Sequence, residues 1–282
     1  MQPRDLSIQS SANLTALAKV VSLWRYRHLF WQLVRRDVIG RYRGSLFGFL
    51  WSFLHPLLML AVFAFVFSVV FKVRWGTLNG VDDDLSFAMF LFAGIIVHSM
   101  FTEAVTRAPV TITSHRNFVK KVVFPLELLP WVPVGSAVFH ALVGFSVLVA
   151  FKLAVTHSIA WTVLLAPLLL IPFVLMIGGF SLIFAAVGTY VRDLGQIVGV
   201  LVMVLLFLSP IFYPLSALPQ PYRDIAALNP LTFVIEELRK VTLLGTFPDW
   251  MGLVTYLAAA VLVALVGHAV FQKARRGFAD VV

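Results

Sequence analysis

Ionisable side chains are scarce in this chain, and a few that lie beside long apolar segments are the candidates for chemistry. Arg41 and Arg43 flank Tyr42 shortly before the first apolar segment, close to Trp51. Guanidinium groups match the oxygens of phosphate, so this cluster could hold a phosphorylated ligand. The alternative is structural, because arginines next to a membrane span also hold a helix at headgroup level. Both interpretations stay open at this point.

A second group of ionisable residues lies inside the apolar segments. Glu103 is close to one end of its segment, and Arg107, one turn later, is its natural partner, which favours a structural charge over a proton carrier. His98 and His140 are single histidines, which more often donate packing hydrogen bonds between helices than carry protons. The centres of the segments are otherwise nearly free of charge, which argues against an ion-coupled carrier.

Motifs for catalysis and for nucleotide binding are absent from the sequence. None of the seven lysines follows a glycine, so the chain lacks the loop with which ATPases hold phosphates. There is no cysteine, no nucleophile elbow and, at Asp82 to Asp84, no spacing suited to a calcium loop. We therefore expect a chain that is no enzyme and binds no cofactor or metal, with ATP and magnesium on a separate subunit.

The composition identifies the solvent that the chain needs. Of 282 residues, 60% are hydrophobic and 12% are charged, which suits lipid rather than water. The net charge of +9 is divided into short blocks between apolar runs, so it does not indicate nucleic-acid binding. The first 43 residues lack the compact apolar region of a signal peptide, and we expect the chain to be inserted whole.

Six apolar segments have the length, or nearly the length, of a membrane-spanning helix. They run from Trp51 to Phe71, Ser86 to Thr106, Leu128 to Phe151, Trp161 to Val187, Gln196 to Phe212 and Trp250 to Phe271. Five of the seven tryptophans lie at the edges of these segments, where indoles prefer the headgroup level. The sequence thus predicts an all-α membrane protein with about six spans.

The distribution of basic residues predicts the orientation of these spans. The N-terminal segment, the second and fourth loops and the tail together hold 16 Lys and Arg, against six on the opposite side. The positive-inside rule then places both termini in the cytoplasm of a multi-pass inner-membrane protein. We divide its single domain, 1–282, into an N-terminal region at 1–43, a transmembrane region at 44–271 and a tail at 272–282.

Two further segments are predicted to be helices that do not span. Apolar residues recur at steps of three and four in the first, which favours an interface helix beside anionic lipid: Leu14, Leu17, Val21, Trp24, His28 and Trp31. The second is the polar stretch from Leu215 to Asp249, where Asn229 can cap a helix that begins at Pro230. Glu236 and Lys240 are predicted to pair in that helix, which we expect to fold back over the outer face.

Several motifs in order along the chain resemble a known family. Arg36 to Trp51 (RDVIGRYRGSLFGFLW) resembles the opening of the type-2 ABC export permeases that move O-antigen, capsule or teichoic-acid polymers. Other matching segments are Lys120 to Pro130, Arg192-Asp193, Ser209 to Pro214 and Leu228 to Leu231. The similarity covers Arg36 to Arg239, and the Arg-Tyr-Arg-Gly-Ser run favours the glycan-exporting branch over drug exporters.

The resemblance implies partners and roles for particular residues. It implies a homodimer with two copies of an ABC ATPase and a lipid-linked glycan as substrate. Head-group binding would fall to Arg41, Tyr42, Arg43 and Trp51, and coupling to the ATPase to Ser114, His115, Arg116, Asn117, Phe118, Lys120 and Lys121. The outer gate would contain Phe212, Tyr213, Tyr222 and Asn229.

Rival functions remain at this stage. An ABC-2 exporter of small hydrophobic drugs or lipids would differ in cargo alone. A membrane-embedded glycosyl- or acyltransferase would need a polar catalytic cluster that the spacing does not provide. The sequence leaves open which glycan is carried and whether the host is Gram-negative or Gram-positive.

Overall fold

The computed structural model describes residues 26–70, 83–120 and 124–281, and these residues form a bundle of α-helices. In chain order the helices are α1 (Arg27–Tyr42), α2 (Trp51–Ala64), α3 (Asp83–Arg107), α4 (Thr111–Ser114), α5 (Arg116–Lys120), α6 (Trp131–Thr156), α7 (Ala166–Tyr190), α8 (Leu194–Leu208), α9 (Gln220–Ala227), α10 (Pro230–Arg239), α11 (Trp250–Arg275) and α12 (Phe278–Val281). A π-helical turn, Phe65–Val70, continues α2, and a second, Lys240–Leu244, follows α10.

Five of the predicted spans are confirmed as helical segments long and apolar enough to cross a membrane. They are Gly48–Phe67, Leu85–Ser114, Leu126–Thr156, Trp161–Tyr190 and Trp250–Arg275. The sixth candidate, predicted from Gln196 to Phe212, corresponds to α8, which has 15 residues. Its length of about 22 Å is short of a hydrocarbon core of about 30 Å, so a sixth span stays a prediction.

The interior of the bundle is built around α3, because its apolar residues are buried on every side. Phe87, Met89 and Phe92 lie near its start and Phe101 and Ala104 near its end, all almost fully buried. Helices α2, α6, α7, α8 and α10 pack against it. A helix that is apolar all round and surrounded in this way can hold polar side chains at its two ends in fixed positions.

Small residues allow the closest helix contact, between α7 and α11. A Cβ atom at Gly267 would lie 2.3 Å from the carbonyl oxygen of Gly179, and one at Gly179 would lie 2.8 Å from the backbone of Val263 and Ala264. Glycines at such crossings let two backbones touch, which replaces the hydrophobic driving force that lipid removes.

Local capping explains several helix boundaries. Asn229 accepts a hydrogen bond from Leu231 N at 3.0 Å, which confirms the predicted cap of a helix beginning at Pro230. Asp249 caps α11 by accepting from the backbone nitrogens of Met251 and Gly252, both at 3.1 Å. Of the apolar stripe predicted to form an interface helix, Leu14, Leu17, Val21 and Trp24 lie outside the described residues, whereas His28 and Trp31 belong to α1.

The predicted pairing of Glu236 with Lys240 is wrong. Glu236 pairs with Arg239 at 3.1 Å, and Lys240 pairs with Glu237. The reason is the orientation of the helix, because Glu237 is buried and also accepts a hydrogen bond from Asp249 N at 2.8 Å. Lys240 therefore pairs with the buried carboxylate of Glu237 rather than with the more exposed carboxylate of Glu236.

Candidate functional site

A cluster of six polar side chains lies between three helices at one end of the bundle. Each helix contributes two residues spaced by four, which places both on the same helical face one turn apart. The pairs are Asp37 and Arg41 on α1, Glu103 and Arg107 on α3, and Ser136 and His140 on α6. We call this set the three-helix polar cluster; its members form two layers.

The first layer joins Asp37, Arg107 and Ser136. Arg107 donates two hydrogen bonds to the two carboxylate oxygens of Asp37, at 2.9 and 2.5 Å, and Ser136 donates a third at 2.6 Å. Burial acts to raise the pKa of the Asp37 carboxyl, but these bonds and the charges of Arg107 and Arg41 outweigh it, so the pKa lies below its ordinary value of 3.8. The two-pronged geometry makes this the strong layer.

The second layer joins Arg41, Glu103 and His140. One guanidinium nitrogen of Arg41, Nη2, donates to Glu103 Oε1. His140 Nδ1 lies 2.9 and 3.1 Å from the two Glu103 oxygens, so it donates to this carboxylate. That nitrogen therefore cannot also accept from Arg41 Nη1, 3.3 Å away. Arg41 is held by one charged bond where Arg107 is held by two.

The second layer borders a cavity of about 710 Å³ between α1, α2, α3 and α6. Polar residues on its wall include Arg41, Glu103, Arg107, His55 and His140. The rest of the wall is largely apolar or aromatic, with contributions from Trp51, Met59 and Phe92. A cavity of this size and lining suits a ligand with one charged group and an apolar body, up to the size of a drug molecule.

Three of the four residues predicted to bind a head group lie on the cavity wall, and the fourth lies outside it. Arg41, Tyr42 and Trp51 line the cavity, and the rings of Tyr42 and His140 are 6.0 Å apart. Burial raises the pKa of the Tyr42 phenol, which keeps it neutral and able to donate a hydrogen bond. Arg43 ends α1 as its cap residue, is exposed, and is not part of the cavity wall.

The segment predicted to couple to an ATPase forms two short helices with a break at His115. Ser114, Arg116 and Asn117 are exposed, whereas Phe118 turns inward and packs against Phe124 with ring centroids 4.6 Å apart. His115 stacks on Phe118 and its Nδ1 lies 2.8 Å from the carbonyl oxygen of Thr111. Lys120 ends α5, and Lys121 lies outside the described residues. The segment has one polar outer face and one apolar inner face.

A second apolar core lies beneath these short helices, separate from the core around α3. It brings together Leu33 of α1, Ile112 of α4, Phe271 of α11 and Phe278 of α12. Phe278 is fully buried, and Arg275 pairs with Glu127 at 3.0 Å beside it. The short helices α4 and α5, the helix α1 and the C-terminal helix α12 are therefore packed as one unit.

The predicted outer-gate residues lie at the opposite end of the bundle, where α8 stops. Tyr213 donates from its hydroxyl to the carbonyl oxygens of Phe207 and Leu208 at 3.0 and 3.1 Å, and Phe212 stacks on Phe207. Asn229 donates to Ser209 at 2.8 Å, which connects α10 to the irregular segment that follows α8. Tyr222 is exposed on α9.

Arg239 is a member of this end that the sequence did not single out. The residue is 2% exposed, and its side chain donates to the main-chain oxygens of Phe90 at 2.9 Å, Pro210 at 2.6 Å and Ile211 at 3.0 Å. A Cβ atom at Gly94 would come within 3.2 Å of the guanidinium, so the absence of a side chain there leaves room for it. Arg239 thus holds α10 against α3 and against the irregular segment that follows α8.

The three-helix polar cluster was also missed as a unit, although its parts were visible. Asp37 was read as a motif residue, Glu103 and Arg107 as a pair, and His140 as a packing donor. The distance between Arg107 Nη1 and Glu103 Oε1 is 3.7 Å, so that predicted pair exists but is the weaker contact of both residues. The signal available was the repeated spacing of four between polar residues on three apolar segments.

The described residues form an all-helical bundle with five helices long and apolar enough to cross a membrane, which is the fold class of a polytopic membrane protein. Residues 28–243 match the ABC-2 type transporter family, and the chain belongs to that family. The predicted membership is confirmed, as is an all-α membrane fold.

Three curated relatives make the comparison more specific. The chain is 28% identical over 263 residues to the O-antigen export system permease protein RfbA of Myxococcus xanthus, covering 93% of this chain and 98% of that protein. It is 27% identical over 252 residues to a Klebsiella pneumoniae protein of the same name, covering 89% and 93%. The polysialic acid transport protein KpsM of Escherichia coli is 25% identical over 254 residues, covering 85% and 91%.

Proposed function

We propose that this chain is the membrane-spanning permease subunit of an ATP-driven exporter that moves a lipid-linked polysaccharide across the cytoplasmic membrane. The observation that carries the proposal is the similarity, over most of both chains, to permeases named for O-antigen and polysialic acid transport. The polar cavity beside α1 supports it, because a lipid-linked polymer has a charged phosphate group between an apolar tail and a sugar chain.

The size of the cavity indicates which part of such a substrate it takes. A volume of about 710 Å³ admits a diphosphate with its first sugar and part of a prenyl tail, but not a polymer. We infer that the head group enters from the cytoplasmic leaflet between α1 and α2. Arg41 binds its phosphate there, Trp51 offers a ring face to apolar groups, and exposed Arg43 attracts the anion from the membrane surface.

The energy source is a separate ABC ATPase, as family membership implies, with ATP and magnesium bound there. We infer a homodimer of this chain with two ATPase copies, both termini in the cytoplasm and the coupling segment docked on the ATPase. The support for this docking is the exposure of Ser114, Arg116 and Asn117 on one face while Phe118 packs into the core beneath. Movement of the ATPase would thereby be transmitted to α1. The irregular segment around Tyr213, together with Asn229, would open at the outer face.

Co-purification tests the partner and its docking site. Tagged chain extracted in a gentle detergent should recover a stoichiometric ABC ATPase. Reversing the charge of Arg116, Lys120 and Lys121 should remove it. The matched control reverses Arg192, Lys273 and Arg276, three exposed basic residues outside the segment, and should leave the ATPase bound. Absence of any ATPase from the wild-type preparation would contradict the proposal.

Deletion of the gene tests the cargo. We expect the surface polysaccharide to be lost and lipid-linked polymer to accumulate inside the cell, with recovery on expression of the wild-type chain. Unchanged surface polysaccharide together with increased sensitivity to hydrophobic drugs would instead indicate a small-molecule exporter of the same family.

A further inference from the structure

The carboxylate of Glu103 accepts a hydrogen bond from the guanidinium of Arg41, to which the substrate's phosphate would bind. Arg41 is the cavity arginine without a two-pronged carboxylate partner, and its charged bond goes to Glu103. Its side chain is 41% exposed, whereas that of Glu103 is 14% exposed. A phosphate that enters the cavity therefore meets a cation already neutralised by an internal anion.

The surroundings of Glu103 allow this bond to be given up at little cost. When Arg41 leaves, the Glu103 carboxylate keeps its hydrogen bond to His140 at 2.9 Å. It also keeps its ion pair with Arg107, whose Nη1 lies 3.7 Å away. Arg107 itself cannot be drawn away, because Asp37 holds it with two hydrogen bonds. The exchange loses one charged bond, and the phosphate replaces the partner that Arg41 gives up, so the exchange is energetically accessible.

We propose that Glu103 is an exchangeable counter-anion for Arg41, which the diphosphate of the substrate displaces on binding and which takes Arg41 back on release. Glu103 thereby sets the affinity of the site for anions: it weakens head-group binding and promotes release of the substrate. This inference rests on the proposed function, since it assigns a role within the same cavity. His140 is a positioning residue in this exchange, because it retains the carboxylate while Arg41 is engaged elsewhere.

The test measures equilibrium binding of farnesyl diphosphate and of farnesol to the transporter complex in lipid nanodiscs. Glu103→Gln removes the competing charge, and we expect it to bind farnesyl diphosphate roughly three- to fivefold more tightly than wild type. Affinity for farnesol, which has no phosphate, should stay unchanged. A purely structural carboxylate would give the opposite result, because its loss would loosen the cluster and weaken binding.

Glu127→Gln is the matched control, since Glu127 also pairs with one arginine, Arg275, outside the cavity. It should bind farnesyl diphosphate as wild type does. If Glu103→Gln cannot be purified in a single oligomeric state, Glu103→Asp serves instead: its shorter side chain weakens the bond to Arg41, and tighter binding is again expected, by less than for Glu103→Gln because the charge stays.

The outcomes separate the two proposals. If wild type does not prefer farnesyl diphosphate to farnesol, the head-group site itself is wrong. If wild type has that preference but Glu103→Gln and Glu103→Asp bind farnesyl diphosphate no more tightly, the exchange is wrong and the head-group site stands.

Discussion

The two ends of α3 hold arginines in contrasting environments. At one end Arg41 and Arg107 meet carboxylates in a half-exposed cluster that borders a cavity. At the other end, about 20 Å away along the helix, Arg239 is buried and three of its hydrogen bonds go to main-chain oxygens. Main-chain oxygens move only together with the backbone that carries them, whereas a carboxylate side chain can change partner. The first arrangement suits binding and release, and the second suits permanent attachment.

The largest effect is expected from Arg239→Met, which breaks the permanent attachment. It removes the three hydrogen bonds to the main-chain oxygens of Phe90, Pro210 and Ile211 and the ion pair with Glu236, and we expect a loss of at least about 3 kcal/mol in the free energy of unfolding. Thermal unfolding in detergent measures it. Arg223→Met is the control, because Arg223 donates to two main-chain oxygens on a part-exposed loop and should cost about 1 kcal/mol. Equal losses would contradict the comparison.

Asp37→Asn should have an intermediate effect. It removes the two-pronged bond with Arg107, and because both side chains are part-exposed we expect a cost of about 1–2 kcal/mol. Asp193→Asn changes an exposed aspartate whose side chain makes no capping bond to α8, and its unfolding temperature should match that of wild type.

The pH dependence of stability gives a smaller effect of known sign. The pKa of Asp37 is lower in the folded chain than its ordinary value of 3.8. Its stabilising contribution is therefore complete above pH 3.8 and is lost as the pH falls through the folded-state pKa. Unfolding temperatures measured from pH 6 downward should fall less steeply below pH 4 for Asp37→Asn than for wild type. Parallel curves would show that the ion pair contributes nothing.

The smallest effect on stability is expected for Arg41→Ala. Arg41 makes one charged bond from a part-exposed position, so its loss should cost less than about 1 kcal/mol. Binding of farnesyl diphosphate should fall about tenfold in the same variant, since a charge-assisted bond to phosphate is lost. A large loss of stability with unchanged binding would reverse the assignment of the two ends.

The spans could be predicted from the sequence because each is a continuous run of apolar residues. The cap at Asn229 could be predicted because the backbone nitrogen that it caps is two residues away. The three-helix polar cluster could not, since Arg41 and Glu103 are 62 positions apart and His140 is 37 beyond Glu103. Hydropathy locates each segment but not which helix it faces. Arg239 was missed for a similar reason, because three of its acceptors are main-chain oxygens, which have no signature in the sequence.

The cavity beside the three-helix polar cluster is proposed to receive the head group of a lipid-linked polysaccharide. Photo-crosslinking in the host tests it most directly, with a photoreactive phenylalanine derivative in place of Trp51 on the cavity wall and, as control, in place of exposed Leu262 on α11. We expect a polysaccharide-bearing adduct at position 51 that disappears when polymer synthesis is blocked, and none at position 262. No polymer adduct at position 51, or equal adducts at both positions, would contradict it.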